Sequence, residues 1–283
     1  MFFCTFFLKK EFEEGKDVKL FISADIEGCT GTTLSAETHN TESRYQAFAK
    51  RMTEEVVAVC EAALEAGATE IVVKDGHGDA TNIDPMRMPK GVTLIRGKSG
   101  HPYNMMYGLD ESFDGVLYVG YHSPAGSPES PLSHTSTGAT NDITLNGKRM
   151  SEFMLNSYTA AMMNVPVLFL SGDEGICRLA KDMVPDITTV STKSGCGGST
   201  INKDPQTVIE ELKEKVKEAL TKDFSKGKIE MPEKFTYIAN YKDMKKAYQM
   251  SFFPGVKAID ERTNSVESDN YYDIVLAHSF IVY

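Results

Sequence analysis

The chain is 283 residues long, with 41% apolar, 10% aromatic and 25% charged residues, enough apolar surface to build a sizeable core and to exclude an intrinsically disordered chain. Forty acidic against thirty basic residues leave a net charge of −10, and no basic run exceeds pairs such as Lys9-Lys10 and Lys245-Lys246, which argues against nucleic acid as a partner. No stretch of 18 apolar residues occurs, so the sequence predicts no membrane span.

Residues 1–17 open with the apolar run Met1 to Leu8, which is short, lacks a basic start and a small-residue cleavage site, and is followed by a polar stretch. It is expected to be a poorly ordered extension ahead of the fold rather than a signal peptide. Val18 to Ser23 reads as a buried strand. Residues 42–66 read as a helix, because Phe48, Met52, Val56, Val59 and Ala63 recur on one face, and Gly67 ends it. Strands are predicted at Thr69 to Lys74, Val92 to Arg96 and Gly115 to Tyr121, then a helix at Met150 to Met163 and a strand at Val165 to Leu170. Residues 191–203 are rich in Gly and Ser and read as a loop. Asp204 and Pro205 then start a helix with Val208, Leu212, Val216 and Ala219 on its apolar face and a Glu211–Lys215 pair on its polar one. The alternation predicts an α/β fold, a mostly parallel central sheet flanked by helices over residues 18–190, with a smaller C-terminal α/β lobe over 191–283.

Ligands of open α/β sheets collect at the carboxyl ends of the strands. The first strand is followed by Asp25-Ile26-Glu27, the second by Asp75-Gly76-His77-Gly78, and the strand ending at Tyr121 by His122. All three ends carry metal-ligand types. Asp25 and Glu27 share a face of an extended segment, where two carboxylates repel unless a cation or proton intervenes. Each residue also has a plainer reading: Asp25 and Glu27 as solvated loop acids, His77 as a turn histidine, His122 as a hydrogen-bonded strand-end histidine. His134 lies in a long Pro-, Ser- and Gly-rich loop and reads either as a general base or nucleophile or as a solvated loop histidine. Glu152 follows the Asn146-Gly147 turn and opens a helix, where an acid also complements the helix dipole. His39, His101 and His278 have no evident partners in the sequence. The five cysteines are odd in number, widely spaced and without a CxxC, a pattern of reduced, cytoplasmic usage, and Cys29 reads as a packing residue.

Taken in order, these motifs resemble the zinc-dependent D-aminopeptidase family, of the DppA type. The matching segments are Ser23-Ala24-Asp25-Ile26-Glu27-Gly28, Asp75-Gly76-His77-Gly78 with Asn82, Gly120-Tyr121-His122, Ser133-His134, Asn146-Gly147 with Glu152, and then Asn156, Val165-Pro166-Val167, Gly172-Asp173 and Ala239-Asn240-Tyr241. The resemblance spans about residues 18–283. It departs at the N-terminal 17 residues and at Lys74 and Gly76, which bear on substrate preference more than on the metal site. It implies a dinuclear zinc site with Asp25, Glu27, His77, His122 and Glu152 as ligands, Asp25 bridging, and His134 as the catalytic histidine. It also implies a homo-oligomeric ring, a decamer, with active sites facing an inner chamber.

The chemistry is consistent with that resemblance. Three carboxylates against two divalent ions leave one positive charge, which a hydroxide balances, and this ligand set suits zinc, with manganese or cobalt as substitutes. The expected activity is removal of the N-terminal residue of short peptides by that hydroxide with His134, the D-alanine-type preference coming from the resemblance alone. The alternatives are a dinuclear hydrolase of another amide or a phosphoester, which would favour Lys or Arg near the metals, and a metal-free α/β solute-binding module. No GxGxxG or P-loop follows any strand, so a nucleotide site is not expected.

Overall fold

In a computed structural model, residues 17–282 are described, so the expected N-terminal extension falls outside the described residues except for Asp17. The chain runs β1 (Lys19–Ala24), α1 (Tyr45–Glu65), β2 (Glu70–Asp75), β3 (Val92–Ile95), β4 (Gly115–Tyr121), β5 (Thr140–Leu145), β6 (Lys148–Arg149), α2 (Glu152–Met162), β7 (Val167–Asp173) and α3 (Glu174–Met183). It continues through β8 (Thr188–Cys196), β9 (Ser199–Asn202), α4 (Pro205–Thr221), β10 (Phe235–Tyr241), α5 (Met244–Met250), β11 (Val256–Ala258), β12 (Thr263–Ser268) and α6 (Tyr271–Ile281). No helix among the described residues is long and apolar enough to cross a membrane.

Two sheets form. The larger has the order β3-β2-β1-β4-β7-β8-β9 and is parallel up to β8, with β9 returning antiparallel. Its inner strands β2, β1, β4 and β7 are buried on both sides along nearly their whole length, which is why they read as apolar runs. Along β1, Leu20 and Ile22 face α1 and α4, while Phe21 faces the α2–α3 side. The smaller sheet, β11-β12-β10-β5-β6, is antiparallel and packs against α6. Its β5–β6 hairpin turns at Asn146 and Gly147, both at positive φ (51° and 75°), as a two-residue hairpin loop requires.

The structure departs from the sequence expectation at three points. Residues 191–203 are not a loop but belong largely to β8 and β9, and α4 packs on α1 against the large sheet. The 190/191 division therefore does not separate the layers, and the small sheet takes β5 and β6 from before it. The Glu211–Lys215 pair does not form either: Glu211 meets Lys203 at 2.6 Å and Lys215 meets Glu218 at 2.7 Å.

Sequence-adjacent elements pair outward from β1 on both sides, so the chain reverses direction between β1 and β4, the place where open sheets leave a crevice. Past the strand ends, Asp25 N donates to Val119 O and Gly28 N to Gly120 O, both at 2.8 Å. The two backbones come so close that a Cβ on Gly28 would lie 1.8 Å from Tyr121 O, and one on Gly120 would lie 2.2 Å from Asp25 O. Gly120 also sits at φ +72°, a conformation that costs an L residue about 1–2 kcal/mol. Gly120→Ala is expected to destabilise the fold by about 3 kcal/mol in chemical denaturation, clash and strain together, and to lower metal content in parallel.

Candidate metal centre

Each side chain singled out by sequence arrives at one pocket from a different element. Asp25 and Glu27 follow β1, His77 follows β2, His122 follows β4, and Glu152 is the first residue of α2, whose Ser151 cap accepts Met154 N at 3.0 Å. His134 comes from the segment between β4 and β5. That segment is irregular but tied down: Ser123 donates through N and Oγ to Asp173, and Thr135 Oγ donates to Met150 O.

His77 Nδ1 lies 3.2 Å from Asp25 Oδ1 and 2.9 Å from Glu27 Oε2. His122 Nε2 lies 3.5 Å from both Asp25 Oδ2 and Glu152 Oε1. His134 stacks on His122 with ring centroids 4.3 Å apart and brings Nε2 to 3.6 Å from Glu152 Oε1. One ligand atom each from Asp25, Glu27 and His122 lie within 4.8 Å of one another, as do those of His122, His134 and Glu152. The pocket holds about 750 Å³.

The outer nitrogens of the rings decide what the inner ones must face. His77 Nε2 donates to Thr38 O at 2.8 Å, His122 Nδ1 to Ser123 O at 2.9 Å, and His134 Nδ1 to Leu132 O at 2.8 Å. A carbonyl only accepts, so each outer nitrogen carries a proton. The inner nitrogen of each neutral ring is then a lone pair aimed at carboxylates. Carbonyl-anchored imidazoles of this kind are how metal-ligating histidines are oriented. Asp25 Oδ2, Glu27 Oε2 and His122 Nε2 are buried and make no aligned hydrogen bond, His77 notwithstanding. These orphaned atoms, in a carboxylate–imidazole donor set, fit a divalent ion such as zinc.

The electrostatics ask for the same positive charge. Burial, and then Glu27, push the Asp25 carboxyl up. Burial would raise Glu27 as well, but the facing His77 holds it well below the carboxylate range. The pair diverges because Asp25 also feels Glu152, whereas Glu27 faces three imidazoles. Burial disfavours charge on His122, yet Glu152 and Asp25 lift it to about 10. Burial likewise opposes charge on His77, and Glu27 overrides it. Two unit charges 4 Å apart interact by about 4 kcal/mol at an effective dielectric near 20, so buried acids left bare here would not stay together.

The supports beneath were not legible beforehand. The buried Lys193 ammonium, from the stretch read as a loop, donates to the carbonyls of Glu27, Cys29 and Thr32. Thr192 Oγ donates to Gly28 O at 2.6 Å, and buried Glu55 accepts Thr30 N at 2.9 Å. The only available signal was the β-branched run Thr188-Thr189-Val190, masked by the glycines after it. Cys29 packs as expected, and the four described cysteines are free. His39 lines the pocket, and His278 donates or accepts at Tyr237 Oη (3.0 Å) and Ser136 Oγ (2.8 Å). Ser136 N in turn donates to Glu152 Oε1 at 2.7 Å.

The D-aminopeptidase family profile matches residues 18–280, the span that carries every one of these groups. The chain belongs to the D-aminopeptidase family. A D-aminopeptidase of Bacillus subtilis (strain 168) is 30% identical over 184 residues, a match that takes in 65% of this chain and 66% of that relative's length. Among solved structures, the Zn-dependent D-aminopeptidase DppA from Bacillus subtilis, described as a self-compartmentalizing protease, superposes with a TM-score of 0.87 at 26% identity. That superposition covers 94% of this chain and 97% of DppA. The mostly parallel sheet flanked by helices is thus the fold of this D-aminopeptidase.

The imidazoles make metal binding and protons compete. His122 is raised from 6.5 to about 10, so its share of metal-free stability is complete below pH 6.5 and is lost as pH rises through 10. Glu152 is lowered from 4.5 to about 2 by His122 against its burial, so its share is present above pH 4.5 and is lost as pH falls through 2. Calorimetric melting of chelator-treated protein should therefore show the midpoint falling by about 5 °C or more between pH 6.5 and 10. Saturating zinc should flatten that slope, and its binding at pH 7.5 should release about two protons, read from the buffer dependence of the binding enthalpy.

Proposed function

We propose that this chain is a zinc aminopeptidase that removes the N-terminal residue of short peptides, with a preference for D-alanine-type residues. In this reading two zinc ions are held by Asp25, Glu27, His77, His122 and Glu152, and His134 is the catalytic histidine. The observation that carries it is the set of orphaned inward-facing ligand atoms in one pocket, in a chain of the D-aminopeptidase family. Asp25 presents Oδ1 toward His77 and Oδ2 toward His122, an arrangement suited to a carboxylate shared between two ions. Zinc, when bound, supplies Lewis acidity and brings the pKa of water down to about 7.

The protein's own groups do the rest. The acid-rich lining attracts the free ammonium of a peptide and disfavours a blocked terminus. His134 is more accessible than the two histidines proposed as ligands: its side chain is 25% exposed, against 13% for His77 and 1% for His122, so substrate and solvent protons can reach it. The bond from Nδ1 to Leu132 O leaves Nε2 as the atom that takes up and returns a proton. The self-compartmentalizing description of DppA, with the exposed Tyr248, Phe252 and Phe280 on this chain's small lobe, supports a homo-oligomeric ring. The free cysteines suit a reducing compartment such as the cytoplasm.

A phosphoester substrate is the second reading, because Lys98 and Lys242 line the same pocket. A panel of D-Ala-D-Ala, L-Ala-L-Ala and a phosphate monoester separates the possibilities. The D-peptide is expected to be cleaved fastest; faster L-cleavage would overturn the stereochemical preference, and faster phosphate release the scissile bond. His134→Ala should keep its zinc and lose about 10²–10⁴-fold in kcat, the range of a positioned acid–base group. His77→Ala should instead lose zinc by elemental analysis. Loss of zinc from the His134 variant would make His134 a ligand, as its grouping with His122 and Glu152 also permits.

A further inference from the structure

Lys98 lies three residues beyond β3, in a pocket whose lining is otherwise rich in carboxylates. Its Nζ donates to Asn104 Oδ1 at 2.8 Å and to Gly76 O at 3.3 Å. Gly76 immediately precedes His77, so the ammonium is held one peptide unit from a proposed ligand. An ammonium has three N–H groups, and these two bonds leave one for an arriving acceptor. Burial opposes its charge, and Glu152 and Asp25 of the same lining favour it.

A short peptide brings opposite charges at its two ends. Asp25, Glu27, Asp79 and Glu152 in the lining suit the ammonium end and repel the carboxylate end. The cationic lining side chains are Lys98 and Lys242, and Lys98 is the one fixed by hydrogen bonds to the wall beside His77. In a dipeptide the carboxylate sits one residue beyond the scissile carbonyl, and every further residue carries it about 3.3–3.6 Å farther away. Lys98 is therefore the wall cation available to the carboxylate end of a short peptide whose ammonium end lies among these acids.

We propose that Lys98 receives the C-terminal carboxylate of a short peptide and so makes the site prefer free-acid peptides to amidated ones. The assignment rests on the aminopeptidase reading above and names its substrate class. Lys98 determines specificity at a distance from the reacting bond, so its loss acts on KM and spares kcat.

The test compares D-Ala-D-Ala with its C-terminal carboxamide, and the L-pair likewise, in the zinc-loaded wild-type protein and in Lys98→Met and Lys98→Arg. The wild type should favour the free acid. Lys98→Met should raise KM for the free dipeptide about 10- to 100-fold, the range for a hydrogen bond to a charged group, and leave the carboxamide within about 2-fold. Lys98→Arg should keep the preference. Calorimetric binding of a dipeptide with a reduced, uncleavable peptide bond, as acid and as amide, should show the same loss of discrimination without turnover. Equal losses on acid and amide, seen as a fall in kcat, would make Lys98 a group acting at the scissile carbonyl and overturn the assignment. So would a wild type that treats acid and amide alike, a result that does not depend on any variant folding. A wild type that cleaves neither D- nor L-dipeptide bonds removes the aminopeptidase reading itself, which the binding arm distinguishes from a failure of Lys98 alone.

Discussion

Carboxylates and imidazole lone pairs confront one another across a few ångströms in a buried pocket, and that confrontation is tolerable only with positive charge between them. The carbonyl anchors at Thr38, Ser123 and Leu132 remove any freedom the rings might use to escape it. Much of the surrounding structure serves to hold this unfavourable arrangement in place. The Gly28–Gly120 crossing brings two strand ends into contact, Lys193 ties three carbonyls of the acidic loop from beneath, and the Ser151 cap starts α2 with Glu152 turned inward. Stripped of cations, the same set would have to recruit protons, which is why His77 and His122 are pushed up and Glu27 and Glu152 down.

The remaining motif residues have structural work of their own. Ser23 Oγ, Tyr121 Oη and Asn156 Nδ2 form a buried chain of hydrogen bonds at 2.7 and 2.8 Å, joining β1, β4 and α2 beneath the pocket. Asp75 accepts Asn82 Nδ2 and Ile83 N, closing the turn that presents His77, and Asn82 also donates to His77 O. Asp173 caps α3 while receiving both donors of Ser123, which fixes the backbone just after His122. Each of these motifs thus pairs a proposed ligand with a group that holds the structure around it.

The strands beside the site were readable because burial on both faces leaves an unbroken apolar run, and β4 matched its expected span residue for residue. Asp25, Glu27, His77 and His122 were readable because they follow those runs directly. What escaped was whatever depends on partners distant in sequence. Lys193 looks like any lysine in a Gly- and Ser-rich stretch until the loop it grips, more than 160 residues earlier, is laid over it. His278 acquires neighbours only when α6 folds back over Ser136. The small sheet pairs β5 with β10, nearly a hundred residues apart, so a linear division of the chain could not separate the layers.

Helix α2 belongs to both layers at once, with Phe153 and Ala160 packed into the large-sheet core and Leu155 into that of the small sheet. Such a party wall ties the lobes together: a movement of one against the other would carry Glu152 away from its companions.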